Sequence, residues 1–198
     1  MLGIVNYQVG NLASVQNAIV KLGEKVQIEE DPQNLKNYDR LILPGVGAFG
    51  DAMEHLRTSG MQEALIEFAK SGKPLLGICL GMQLLFEKSY EFGEHFGLGL
   101  LKGEVVKFDS GEKKIPHIGW NLVCKRLESD LLKHLDSNFY LYFVHSFYVK
   151  NLENAVGVSN YGVDFASIVQ KENIFGIQPH PEKSHNIGLL ILKNFINL

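Results

Sequence analysis

Two short stretches carry residue types that can do nucleophilic chemistry. Cys79 lies in Gly77-Ile-Cys-Leu-Gly81, a G-x-C-x-G run with the logic of the G-x-S-x-G turn that raises a nucleophilic serine in α/β hydrolases. A nucleophile on a tight strand-to-helix turn needs neighbours without side chains, because the flanking backbone passes close by and takes unusual torsions. Such a turn sets the sulfur at a helix N-terminus, whose dipole and free amides favour the thiolate. It also leaves the Leu80 amide free to donate to an oxyanion. On its own, Cys79 also reads as a small buried hydrophobe at the end of an apolar strand. Cys124, in Asn121-Leu-Val-Cys-Lys-Arg126, has no such frame and reads as structural.

A cysteine nucleophile requires a histidine to move its proton and a third group to orient that histidine. Of the seven histidines, two have a carboxylate two residues on: His134-Leu-Asp136 and His180-Pro-Glu182. The first lies in a helix-like run, Asp130–Asp136, where i and i+2 project to different sides, so His134 reads as a solvated helix residue. In the second, Pro179 and Pro181 force an extended segment, in which i and i+2 point the same way. Glu182 then holds one imidazole nitrogen and leaves the other for the thiol. His145, in Tyr142-Phe-Val-His-Ser-Phe147, alternates with aromatics and reads as a satisfied histidine on a buried strand. His117 and His185 lack ligand spacing and the cysteines lack C-x-x-C, so neither a metal site nor a redox pair is expected.

The scaffold that must join these distant residues reads as alternating strands and helices. Period and punctuation predict a strand at Leu2–Asn6, a helix at Asn11–Leu22, and strands at Lys25–Glu29 and Arg40–Leu43. A helical stretch over Met53–Lys70, broken at Ser59-Gly60, precedes an apolar strand at Pro74–Cys79 that turns into a helix over Gly81–Phe86. Beyond Gly99 come shorter strands, some antiparallel: Glu104–Phe108, Asn121–Val123, Phe139–Val149, Ala155–Ser159, Ser167–Gln170 and Ile174–Ile177. A terminal helix at Asn186–Ile196 closes the chain. The pattern predicts a single domain over 1–198, an α/β fold with a mainly parallel central sheet flanked by helices, and a site beyond the carboxyl ends of the strands.

The chain has 198 residues and a formal charge of −3 without a basic run, which argues against nucleic-acid and anionic-membrane partners. The N-terminus lacks the pattern of a secretory leader and no apolar run reaches membrane-spanning length, so a cytoplasmic location is expected. A small molecule or another protein is the expected partner. Leu41-Ile-Leu-Pro-Gly-Val-Gly-Ala-Phe-Gly50 contains G-x-G-x-x-G, yet its context contradicts a dinucleotide site: Pro44 intervenes, Phe49 occupies the loop, and the candidate acids Glu63 and Glu67 fall within a helical pattern. Its glycines suit a backbone that approaches a substrate and offers an amide of Gly45, Val46 or Gly47 as a second oxyanion donor opposite Leu80.

Gly77-Ile-Cys-Leu-Gly-Met-Gln83 and Gln178-Pro-His-Pro-Glu182 resemble the motifs of class I glutamine amidotransferases, in the same Cys, His, Glu order. Gly10-Asn-Leu12, Leu43–Gly50, Ile115-Pro-His-Ile-Gly-Trp-Asn121, Val144-His-Ser146 and His180-Pro-Glu-Lys-Ser184 extend the likeness to the glutaminase subunits of imidazole glycerol phosphate synthases, over nearly the whole chain. The resemblance implies the class I fold, with a smaller antiparallel sheet beside the main one. It implies hydrolysis of L-glutamine to L-glutamate and ammonia without a cofactor, the ammonia passing to a (β/α)₈-barrel synthase subunit in a heterodimer. That subunit forms imidazole glycerol phosphate and an aminoimidazole carboxamide ribotide in L-histidine biosynthesis.

Carried over by position, Cys79 is the nucleophile that forms a glutamyl thioester, His180 the general base and acid, and Glu182 the orienting carboxylate. Gln83, Glu91, His145 and Ser146 match positions near the substrate, and Asn11, Trp120 and Lys183 match positions at the synthase interface. A peptide of Gly45-Val-Gly47 is implied to turn when the synthase is engaged. Two departures stand out: Asn6-Tyr7-Gln8 where the family has Asp-Tyr-Gly, and Pro179 where it has Phe. They bear on the partner more than on the chemistry. A paralogous glutaminase, serving a synthase-like or sugar-modifying partner in surface polysaccharide synthesis, is a second reading. A catalytically silent binding subunit is a third, set against the retention of Cys79, His180 and Glu182.

Overall fold

The computed structural model describes residues 1–8, 11–109, 111 and 113–198, so Gly10 of Gly10-Asn-Leu12 lies outside the described residues. The first half of the chain runs β1 (Leu2–Val5), α1 (Leu12–Lys21), β2 (Val26–Glu29), β3 (Arg40–Leu43), α2 (Phe49–Thr58), α3 (Met61–Lys70), β4 (Leu75–Ile78) and α4 (Leu80–Leu84). The second half runs β5 (Phe86–Ser89), β6 (His95–Phe96), β7 (Leu101–Lys107), β8 (His117–Lys125), β9 (Asn138–His145), β10 (Phe147–Val149), β11 (Ala155–Asn160), β12 (Asp164–Lys171), β13 (Ile174–Ile177) and α5 (His185–Ile196). Nine strands form one sheet in the order β2-β1-β3-β4-β13-β12-β11-β8-β9. Pairing is parallel from β2 to β13 and antiparallel from β13 to β9.

Apart from the edge strand β2, the parallel strands are apolar at nearly every position because both their faces are covered. In β3, Leu41 and Leu43 enter one apolar cluster and Ile42 the other. On the Ile42 side, α1 and α5 contribute Val15, Ile19, Ile191 and Phe195; on the opposite side, α2 and α3 contribute Phe49, Leu56, Leu65 and Phe68. Val15, Ala18 and Ile19 recur at the helical spacing that makes one buried stripe.

Several boundaries depart from the sequence reading for identifiable reasons. α2 begins at Phe49 rather than Met53, because a Glu91 oxygen accepts the Phe49 amide at 2.7 Å and supplies a cap that the adjoining residues lack. The segment Phe139–Val149 is two strands rather than one: the chain leaves the large sheet at Ser146, and β10 joins a second sheet of order β10-β7-β5-β6. This smaller sheet is antiparallel at its two ends and parallel between β5 and β7. Phe86 opens β5 instead of ending a helix, and the α4 helix is correspondingly short. His134 is exposed as expected but is not helical; a 3₁₀ turn covers Asp130–Leu132, and His134 follows with φ 65°.

The arrangement that matters for chemistry is the adjacency of β3, β4 and β13, paired in parallel with Leu43 opposite Gly77 and Ile78 opposite Ile177. Neighbouring strands lie about 4.8 Å apart. The loop after Leu43, the turn at Cys79 and the segment from Gln178 therefore emerge side by side at the carboxyl ends of these interior strands.

Candidate active site

At the end of β4 the chain reverses into α4 through a backbone conformation that non-glycine residues rarely adopt, with Cys79 at φ 55° and ψ −113°. The Cys79 amide donates to Ile177 O at 2.8 Å and its carbonyl accepts from the Gln83 amide at 3.3 Å, which holds the strained residue from both sides. A Cβ on Gly77 would lie 2.5 Å from Gly81 O, and one on Gly81 would lie 1.8 Å from Leu43 O. Both glycines of the G-x-C-x-G run are thus demanded by close approach of backbone. Leu80 is the first residue of α4, so its amide has no partner within the helix.

His180 is buried beside this turn. Its Nδ1 and Glu182 Oε1 are 2.8 Å apart, and its amide donates to Tyr142 O at 2.9 Å. His180 itself is extended, but Pro181 opens a 3₁₀ turn over Pro181–Lys183, so the imidazole and carboxylate meet across a turn rather than along an extended segment. Burial opposes a charge on His180. Hydrogen bonds and charge from Cys79 and Glu182 outweigh it and push the imidazole up to about 10. The Glu182 side chain is 1% exposed, and its Oε2 has no hydrogen-bond partner among the described residues.

A cavity of about 360 Å³ opens over the sulfur, a size suited to one amino acid. Cys79, Leu80 and His180 line it, as do Val46 and Gly47 from the loop after β3, and Gln83, Glu91, His145, Ser146 and Lys183. Gly45 stands behind the wall, where a Cβ would meet Gly81 N at 2.9 Å and the Tyr7 hydroxyl at 2.7 Å. Tyr7 is buried and donates to Pro44 O at 2.8 Å, tying the base of this loop to β1; burial, then charge at Cys79, raise its phenol. Gly47 has φ 97°, which leaves its peptide in a conformation that glycine alone adopts readily. Burial raises the half-buried Glu91 carboxyl above the usual carboxylate range; the Phe49 amide works against this and Asp51 adds to it.

Gln83 is buried, and its Nε2 donates to Phe147 O at 3.0 Å and to Gln178 Oε1 at 2.8 Å. With both hydrogens committed, the group it can offer the cavity is an acceptor, Oε1. Gln178 in turn donates to Cys79 Sγ at 3.8 Å. His145 is buried and paired as expected, yet it also faces the cavity. Of the interface candidates, Trp120 is 47% exposed, stacked on His185 at 5.1 Å and edge-on to Tyr142. Lys183 is shared with a second cavity lined by Ser14, Asn17, Lys21 and Glu182, while Asn11 is half-buried immediately before α1. Cys124 is exposed on β8 and takes no part in the site.

Sequence reasoning missed Gln178, Tyr7 and His117. Gln178 stands inside the Gln-Pro-His-Pro-Glu run, where its nearness to His180 was the available signal. For Tyr7 and His117 the partners lie far along the chain and no local pattern marks them.

Residues 4–198 match the family of class-I glutamine amidotransferases. The chain is 64% identical to imidazole glycerol phosphate synthase subunit HisH of Wolinella succinogenes over all of both chains. It is 59% identical to the protein of the same name from Sulfurimonas denitrificans, over 98% of this chain and 97% of that one. Among solved structures, a glutamine amidotransferase at 18% identity superposes with a TM-score of 0.78, over 99% of this chain and 97% of the other, which speaks to the fold.

Proposed function

The chain belongs to the class-I glutamine amidotransferases, and from that premise we propose that it is the glutaminase subunit of an imidazole glycerol phosphate synthase, releasing ammonia from L-glutamine for L-histidine biosynthesis. The observation that carries the reading is the convergence of the Cys79 sulfur, the His180–Glu182 pair and Val46 and Gly47 of the loop after β3 on one amino-acid-sized cavity.

In this reading Sγ of Cys79 attacks the side-chain amide carbon of glutamine. The carbonyl oxygen becomes an oxyanion held by the Leu80 amide and by an amide of Gly45, Val46 or Gly47. His180, kept charged by Glu182 and the neighbouring sulfur, delivers its proton to the departing nitrogen as the C–N bond breaks, leaving a glutamyl thioester and ammonia. Water then attacks the thioester, His180 takes its proton, and glutamate leaves with the thiolate restored. Glu91 and the Gln83 oxygen are acceptors suited to the substrate α-ammonium group, and His145 and Ser146 complete the wall.

Residues 1–198 act as one glutamine amidotransferase domain in this proposal, located in the cytoplasm; among the described residues no helix is long and apolar enough to cross a membrane. The partner is a (β/α)₈-barrel cyclase subunit in a heterodimer, meeting the face that carries Asn11, Trp120 and Lys183. Cys79→Ala tests the nucleophile: glutamate release by the assembled synthase should vanish while the melting temperature stays near that of the native chain. Persistent hydrolysis in a clean preparation would sink the assignment.

A further inference from the structure

The buried polar groups behind the cavity form one continuous hydrogen-bonded chain whose polarity is fixed at its centre. Phe147 O can only accept. His145 Nδ1 lies 2.8 Å from it, so that nitrogen carries the proton and His145 Nε2 is the acceptor of a neutral ring. His117 Nδ1 lies 2.9 Å from His145 Nε2 and must therefore donate to it, which leaves His117 Nε2 to accept from Asn121 Nδ2 at 3.3 Å. The orientation of the Asn121 amide is fixed independently, since Nδ2 also donates to Asn160 O at 2.9 Å and Oδ1 accepts from the Leu122 amide at 2.8 Å.

The same Phe147 carbonyl accepts from Gln83 Nε2, and this acceptor decides the orientation of the Gln83 amide; Gln83 then decides that of Gln178. Gln178 consequently presents N–H, not its oxygen, to Cys79 Sγ. Both imidazoles are held neutral: burial brings His145 down to about 3 and His117 down to about 4. The His117 ring is fixed between Phe143 at 4.8 Å and Tyr161 at 4.0 Å, both stacked on it.

We propose that His117 is a positioning residue of the glutaminase site: by donating to His145 Nε2 it holds the His145 ring in place, and with it the Nδ1–H on the Phe147 carbonyl and the Gln83–Gln178 pair that offers an N–H to the Cys79 sulfur. The inference rests on the glutaminase reading. Without the His117 donor, His145 Nε2 is a buried acceptor with no partner, and turning the ring to relieve that cost withdraws the Nδ1–H from the Phe147 oxygen, the same carbonyl that anchors Gln83. A partly satisfied buried network of this kind loses its single geometry.

The test uses two readouts. Long-range ¹H–¹⁵N spectra of the imidazoles report the tautomers directly, and the expected result for the native chain is a proton on Nδ1 of both His117 and His145. The second readout is the rate at which 6-diazo-5-oxo-L-norleucine, a glutamine-shaped electrophile, labels Cys79 in the assembled synthase, compared with iodoacetamide. His117→Phe keeps a ring between Phe143 and Tyr161 but has no donor; labelling by the glutamine-shaped reagent should slow by about tenfold or more, and by clearly more than labelling with iodoacetamide. His117→Asn places an amide N–H where Nδ1 stood and should restore most of the rate. If His117→Phe does not fold, His117→Gln, whose amide reaches the Nε2 position instead, takes its place.

Native labelling that is unchanged in His117→Phe, a His117→Asn rate as low as that of His117→Phe, or a proton on Nε2 of native His145 overturns the inference alone. Failure of the native chain to label at Cys79 with the glutamine-shaped reagent overturns the glutaminase reading, and this inference with it.

Discussion

Gly81→Ala puts one methyl group into the tightest contact of the nucleophile turn. The added Cβ would stand 1.8 Å from Leu43 O and 3.2 Å from Pro44 C. Reaching an ordinary C···O separation of about 3.3 Å takes a movement of about 1.5 Å. That movement is shared between the start of α4, which carries Cys79 and the Leu80 amide, and the loop beginning at Pro44. Both are elements of the proposed chemistry, and a misplacement of about 1 Å is enough to cost about 10²-fold in rate. Overpacking costs about 1–3 kcal/mol; at about 2–4 °C per kcal/mol for a chain of this size, the melting temperature falls by about 2–12 °C. The expected result is therefore a folded protein whose kcat/KM for glutamate release, measured in the synthase complex, is lower by about 10²-fold or more. Gly97→Ala is the matched control: its Cβ would lie 2.2 Å from Phe86 O, outside the nucleophile turn. Activity of Gly81→Ala within about threefold of native at a lowered melting temperature, or an equal loss in Gly97→Ala, would refute the claim that this contact aims the thiol.

Three further outcomes are expected. Because His180 is raised from 6.5 to about 10, the stability it contributes is complete below pH 6.5 and is lost as pH rises through about 10. Glu182→Gln should accordingly lower the melting temperature most below pH 6.5 and converge on the native curve at high pH; an offset independent of pH would count against the pairing. Tyr7→Phe leaves the Pro44 carbonyl without its buried donor and should cost about 1–3 kcal/mol in a denaturant titration, so an unchanged midpoint would contradict the role given to that hydroxyl. Trp120→Ala should weaken association with the synthase partner by about 2 kcal/mol or more by calorimetry. If affinity is retained, the face around Trp120 is not the interface.

Much of the site was legible because its constraints are local. Gly77 and Gly81 announce a crossing of backbones that leaves no room for Cβ atoms, and that crossing is present. The His180–Glu182 contact was also legible, although its stated cause was incomplete: the prolines do extend His180, but it is the 3₁₀ turn opened by Pro181 that brings the carboxylate round. What local pattern could not reveal is set by long-range partners. The start of α2 depends on Glu91, the break at Ser146 depends on β10 finding β7 instead of continuing beside β8, and β5 and β6 were not anticipated at all. His117 looked inert because its meaning lies in which nitrogen of His145 it meets, a relation across two paired strands.

The pairing of β4 with β13 also means that the proposed site is assembled from segments far apart in the chain. The amide of Cys79 is held by Ile177, and Gln178 and His180 follow in the next few residues. A chain emerging from the ribosome thus carries the whole Gly77–Gly81 turn sequence before it possesses the strand that braces the turn or the imidazole proposed to work on the sulfur. Until that later strand docks, the Cys79 amide lacks its Ile177 acceptor and the sulfur lacks the Gln178 and His180 side chains beside it. In the proposed chemistry, glutamine would then meet no complete site on a chain whose β13 has not yet come to lie beside β4.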